Sequence, residues 1–352
     1  MTTTMDASRR TPAARPVAAR ARSLLLGRDA AVIVLLVAVW LIGSVSVDNF
    51  AKPNTVYFLL LDVLPIVLIA LPMTMVVIAA EIDLSVASML GLSSVIVGVL
   101  FQHGWPVWAA AVVALGIGAV GGALNGFLVA TVGLPSLAVT VATLALFRGI
   151  AVGLLGTKAV TGFPESYKDL ASDRLFGPGT AIPAVLLVFV VLAIGFGVLL
   201  HFTAFGRATY AVGMSAETSR FSGVNVRAVK FWLFVATGAV SALAGIYWTL
   251  RYGSARGDNA VGLELTVVAA VLVGGVSIFG GRGAIPGVIA GALLIGALRA
   301  VLRLADVSAD AINIATGVVL IASVVFPRIL SGVRGRRRRS RRRGLEPEPS
   351  LE

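Results

Sequence analysis

The chain contains no cysteine. Disulfides, thiolate metal sites and cysteine nucleophiles are therefore excluded. Its two histidines, His103 and His201, stand far apart at the ends of apolar runs, so no metal site is expected. Charge is scarce as well. Only 13% of the 352 residues are Asp, Glu, Lys or Arg, about half the share of an average soluble domain. Lysine is the rarest cation: Lys52, Lys158, Lys168 and Lys230 are followed by Pro53, Ala159, Asp169 and Phe231. None supplies the Gly-Lys-Ser or Gly-Lys-Thr of a phosphate-binding loop. HExxH, GxSxG and paired-cysteine motifs are missing too. No catalytic residue is assigned, no cofactor is expected on this chain, and an enzyme reading has no residues to carry it.

What the chain has is apolar length. Hydrophobic residues make up 58% of it, in recurring runs of roughly 20, enough to cross a ~30 Å hydrocarbon layer. The expected fold is an all-α polytopic membrane protein. Ten spans are predicted, near 31–47, 55–79, 84–100, 107–130, 137–155, 182–202, 231–250, 265–279, 284–302 and 311–327. An even number puts both termini on one side. Six basic residues in the N-terminal tail, four in 205–231, Arg282 and nine from Arg328 onward then face the cytoplasm. Eight face outward: Lys52, Lys158, Lys168, Arg174, Arg251, Arg256, Arg299 and Arg303. This bias is the one that orients membrane proteins. The expected organisation is a basic cytoplasmic tail over 1–30, a transmembrane domain over 31–330, and an arginine-rich cytoplasmic tail over 331–352. The net charge of +12 sits mainly in those tails. Such runs beside a membrane meet anionic lipid, and no nucleic-acid motif accompanies them.

Two hydrophilic stretches stand out between spans. Residues 205–231, FGRATYAVGMSAETSRFSGVNVRAVKF, set Arg207, Arg220, Arg227 and Lys230 against Glu217 alone. They are expected to form a cytoplasmic loop that receives force from another protein. Residues 156–181 form the longest outer loop, read equally as a solvated linker or as a contact for an outer partner.

Ionised groups inside a membrane cost ~2.5–3.5 kcal/mol even on the lenient scale, so Glu81 and Asp83 need a reason. No turn cluster separates spans two and three, and a short helix break is expected there. Ser85 and Ser88 are placed to cap the next helix or to serve freed backbone groups. Glu81, Asp83 and Ser85 are candidate gate or path residues; headgroup placement is the alternative. Thr140 and Thr143 share one face of span five and suit a polar path or interhelical bonds. Arg148, rotated from them, is expected to snorkel outward. Asn125 is read as a buried amide that packs helices. Gly118, Gly122 and Gly126, like Gly283, Gly287 and Gly291, recur every four residues as close-contact faces. Their positions in spans four and nine point to an inverted five-plus-five repeat.

These motifs resemble the permease of bacterial ABC importers for monosaccharides, the ribose/galactose/xylose type, over residues 55–330. EIDLSVAS (81–88), GLPSLAVTVATLALFRG (133–149), FGRATYAVGMSAETSRFSGVNVRAVK (205–230) and VVAAVLVGGVSIFGGRGAIPGVIAGALL (267–294) carry the resemblance. LPMTMVV, GFPESYKDLA and YGSARGD look most like permeases for rhamnose or autoinducer-2. The resemblance implies a pathway subunit, a separate ATPase chain holding ATP and Mg, an extracytoplasmic sugar-binding protein, and a second permease chain, identical or a sister. It also implies a coupling helix in 205–231, where Ala216-Glu217 followed by Gly223 resembles the family's short coupling signature and Arg220 is a further candidate contact to the ATPase. The chain departs from the family at Ala80-Glu81-Ile82-Asp83, where Gly-Gly-Ile-Asp is usual, and at Ala87, where Gly is usual. An ion-gradient transporter using Glu81 and Asp83 is the alternative reading.

Overall fold

In a computed structural model, which describes residues 28–319 and Ile321, the chain is mostly helical. Helices run as α1 Arg28–Ser46, α2 Pro53–Ile78, α3 Val86–Gln102, α4 Val107–Phe127 with a π-helical turn over Leu128–Val132, and α5 Ser136–Leu155. After α6 Glu165–Ser172 come α7 Leu186–Phe202, α8 Ala204–Met214, α9 Ala216–Phe221, α10 Val226–Tyr252, α11 Leu263–Val273 and α12 Ile285–Leu304. The last described helix, α13, covers Ala309–Val319. Two short strands, β1 Ala159–Val160 and β2 Ala255–Arg256, pair antiparallel with Ala159 opposite Arg256.

Helix α2 is the axis of the packing. It is apolar all round, and from Leu61 onward nearly every residue is buried, as expected of an interior helix. Pro65 and Pro72 lie inside it. In an enclosed membrane helix, neighbours can re-satisfy the backbone groups a proline frees. α10 packs against α2, α3 and α4, and α12 against α1, α2 and α11. The α4–α10 contact explains the first glycine stripe. A Cβ at Gly118 would stand 2.3 Å from Ala242 Cβ, one at Gly122 2.3 Å from Phe234 O, and one at Gly126 2.8 Å from Phe231 O. These backbones meet because no side chain intervenes. On the outside, Val45, Val120 and Val191 are exposed apolar residues on α1, α4 and α7, the surface hydrocarbon would cover.

The expected spans map onto helices with three differences. Among the described residues, five helices are long and apolar enough to cross alone: α2, α4 with its π turn, α5, α10 and α12. α7 and α8, bent by 66°, pass as a pair. α3 is shorter, and α11 stops at Val273, well short of the expected 279. Gly274 and Gly275 end it: Gly275 has φ +92°, and Gly274 lies so close to α12 that a Cβ would be 2.5 Å from Val288 Cα. Second, Gly283 is not on the helix face assigned to it. It lies before α12 at φ +155°; Gly291 presses on α11, where a Cβ would stand 2.5 Å from Ala270 O, and the Gly287 carbonyl faces Gly274 just beyond that helix. Third, the 156–181 loop contains α6 and β1. The tail expectations for 1–27 and 331–352, and the end of span ten, fall outside the described residues.

Candidate transport site at two helix breaks

α2 and α3 are separated by an extended break over 79–85. Ala80 turns the chain there with φ +62°, a left-handed conformation that costs an alanine more than a glycine. Neighbouring elements hold the break in place. Ile82 N donates to Ser136 Oγ (3.2 Å), and Thr140 Oγ1 stands 3.3 Å from Ile82 O. Asp83 is 1% exposed. Its Oδ1 accepts from Ser85 N (2.9 Å) and Ser85 Oγ (2.6 Å), and its Oδ2 lies 2.9 Å from Thr237 Oγ1 on α10. Asn125 Nδ2 donates to Ser85 Oγ at 2.9 Å, so this amide serves the break directly rather than only packing helices. Glu81 forms an ion pair with Lys230 at the start of α10, their side chains 12% and 20% exposed.

The 205–231 segment abuts this break. It is organised by local caps. Thr203 Oγ1 accepts from Gly206 N (3.2 Å), Ser215 Oγ from Thr218 N (3.2 Å), and Asn225 Oδ1 from Ala228 N (3.0 Å), starting α8, α9 and α10. α9 ends as expected at Gly223, φ +84°, with Val224 N donating to Ser219 O (3.0 Å) and Gly223 N to Arg220 O (3.1 Å). Glu217, Arg220 and Gly223 are exposed and Ala216 half-buried. Met214 and Phe221 project beside them, 75% and 86% exposed. On its inner side, α8 touches the end of α2: a Cβ at Gly213 would lie 1.7 Å from Ile78 O.

A second break, over 253–262, joins α10 to α11. α5 runs from one break to the other, with Ser136 at the first and Arg148 at the second. Arg148 does not snorkel. Its Nη1 donates to Gly257 O (2.9 Å) and Asn259 O (2.7 Å), and its Nη2 to Ala87 O at 3.4 Å. Asn259 Nδ2 and Thr249 Oγ1 both reach Ser94 Oγ, at 2.9 and 2.7 Å. Outside the helices, Arg256 forks onto Asp258 at 2.9 and 2.8 Å. The guanidinium beside Asp258 holds its carboxyl below the usual carboxylate range.

The expected path residues are thus largely brought together. Glu81, Asp83, Ser85 and Thr140 meet at the first break, but each is tied up by a neighbour: Ser85 bonds Asp83, Thr140 stands against Ile82 O, and Glu81 pairs with Lys230. Thr143 does not join them: its hydroxyl turns to Val139 O (3.1 Å) in its own helix. Sequence reasoning missed Ser136, Lys230 and Thr237, and misread Arg148. The self-similarity of Ile82-Asp83-Leu84-Ser85-Val86 and Leu263-Glu264-Leu265-Thr266-Val267 marks both breaks and was the available signal.

Enclosed apolar helices, interrupted at two ends and tied to a capped amphipathic segment, are the frame of a polytopic membrane protein. The family model described as "Branched-chain amino acid transport system / permease component" matches residues 55–324, and the chain belongs to that family. It is a multi-pass membrane permease of the ABC importer class. Among its relatives is the autoinducer 2 import system permease protein LsrD of Salmonella paratyphi B, 34% identical over 77% of this chain and 82% of that protein. The protein of the same name from Yersinia pseudotuberculosis serotype O:1b is 33% identical over 83% of this chain and 88% of its own length. No solved structure matches the chain.

Proposed function

We propose that this permease carries a furanosyl compound of the autoinducer-2 type or a related monosaccharide such as rhamnose or ribose. The observation supporting it is the alignment with two autoinducer-2 permeases over more than three quarters of the chain, which spans both breaks. The family's description names branched-chain amino acids. A polar, uncharged sugar suits a chain whose buried polar groups, Asp83 apart, are hydroxyls and an amide.

The working assembly is two permease chains, identical or sisters, with an ATPase chain that binds ATP and Mg, and an extracytoplasmic binding protein. Ten spans with both termini in the cytoplasm fit the charge bias. An inverted five-plus-five repeat is supported by matching contacts. α4 meets α10 through Gly118 and Gly122, and α12 meets α2 at Gly296, where a Cβ would be 2.1 Å from Val63 Cγ2. Residues 205–231 then face the cytoplasm. The exposed Met214 and Phe221, flanked by Glu217 and Arg220, form a small apolar knob with charged edges, suited to a groove on the ATPase. ATP binding moves this knob, the paired permeases open outward to the loaded binding protein, and hydrolysis returns them.

The test is co-purification from native membranes, followed by uptake in liposomes. A Walker-containing ATPase and a binding protein selective for autoinducer-2 or a monosaccharide are expected. Uptake should need ATP and ignore ionophores. Uptake collapsed by an ionophore and indifferent to ATP would restore the ion-driven reading; a binding protein selective for a branched-chain amino acid would overturn the sugar assignment.

A further inference from the structure

Four contacts tie together the 205–231 segment, the α11–α12 turn and the α2–α3 junction. Gly213 presses its backbone on Ile78 O. Gly281 N donates to the same carbonyl at 2.8 Å. Tyr210 Oη donates to Gly283 O at 2.7 Å. These three use backbone or neutral groups. The fourth is the Lys230–Glu81 ion pair, between residues 149 positions apart.

α10 grips the break twice on one face. Lys230 and Thr237 are seven residues apart, two helical turns, and they hold Glu81 and Asp83 respectively. The break is conformationally costly at Ala80, so its position depends on what holds it. A helix of 27 residues moves as a rod, whereas the extended break cannot transmit force by itself. The other charged groups on the surrounding elements are elsewhere: Arg148 bonds the second break, Arg251 sits in the last turn of α10, and Arg227 is exposed. We propose that Lys230 and Glu81 are positioning residues that carry movement of the α8–α9 segment into the α2–α3 break, and so set how much substrate moves per ATP hydrolysed. This rests on the reading that the segment docks on an ATPase.

The experiment uses the full assembly in liposomes and reads uptake and ATP hydrolysis together. Glu81→Gln and Lys230→Gln are each expected to lower uptake per ATP by about tenfold, within the range of known coupling effects, while hydrolysis continues. The exchange Glu81→Lys with Lys230→Glu is expected to recover most of it. A purely structural role would instead lower yield and melting temperature and leave the ratio unchanged in the protein that folds. The absence of native cysteine permits a second measurement. Glu81→Cys with Lys230→Cys should be uncoupled, recover when the thiols are joined by a reducible bifunctional reagent, and fail again on reduction. Normal uptake per ATP in the single variants, or a joined pair that stays uncoupled, overturns the proposal. A wild-type assembly without ATP-driven uptake contradicts the transport reading itself, not this link.

Discussion

At the first break, neighbouring side chains take hold of a loop that carries its own acids; at the second, one arginine takes hold of a loop's carbonyls. Glu81 and Asp83 bring charge to 79–85, and α10 meets them with Lys230 and Thr237. The 253–262 loop presents backbone oxygens, and Arg148 collects two of them with a carbonyl of α3. The first arrangement links the α2–α3 break to α10, the helix that follows the 205–231 segment. The second fastens a loop to α3 and α5, beside its strand pairing with β1. A grip made from side chains on a long helix can be moved by that helix, whereas a guanidinium bonded to three carbonyls is a fixture.

The sharpest way to break this comparison is to remove the fixture. Arg148→Ala strips three carbonyls of a charged donor and is expected to destabilise the purified chain by ~3 kcal/mol or more, read as a large drop in detergent melting temperature. Arg148→Lys recovers only part, because one ammonium cannot reproduce the fork. Next comes the close approach at the first break. Gly213→Ala places a methyl where Ile78 O stands, so α8 must shift, at a cost of ~1–3 kcal/mol. If α8 conveys movement as proposed, uptake should fall more than stability does. Thr237→Val removes one hydroxyl from Asp83 and is expected to cost ~1 kcal/mol, visible in chemical unfolding of the reconstituted chain.

The smallest effect is at the Arg256–Asp258 fork. Asp258 has a lowered carboxyl pKa in the folded chain, caused first by its hydrogen bond from Arg256. Its stabilisation is therefore present above the ordinary carboxylate value of ~3.9 and lost as pH falls through the lowered value. Both side chains are more than half exposed, so solvent screens the pair. Asp258→Asn should leave the melting temperature unchanged at neutral pH; a clear loss there would show that the second break depends on this fork as well as on Arg148.

Much of the fold was legible because hydrophobic length is a strong signal in a chain with so few charges. The break after α2 was legible from two acids where apolar residues should run on, and the end of α9 from Gly223. The early stop of α11 was not, because its cause is the contact of Gly274 with α12, a tertiary fact. Nor was the grouping of Ser136, Asn125, Lys230 and Thr237 around residues 79–85: these positions are 40 to 154 residues from the partners they bond there and meet only through helix packing. Arg148 was misread for a related reason. A lone arginine in an apolar run reads as a snorkeller until a loop with free carbonyls is known to fold onto it.

The face of the membrane that the 205–231 segment meets, and what it touches there, decide whether it couples to an ATPase. Single cysteines at Glu217, Arg220 and, for contrast, Leu170 on α6 can be placed in this cysteine-free chain and fitted with a short photo-crosslinker in native membranes. Crosslinks from positions 217 and 220 to an ATPase chain, with none from 170, are the predicted result. Crosslinks from 170 to the ATPase, or labelling of 217 and 220 from the outer face, would contradict it.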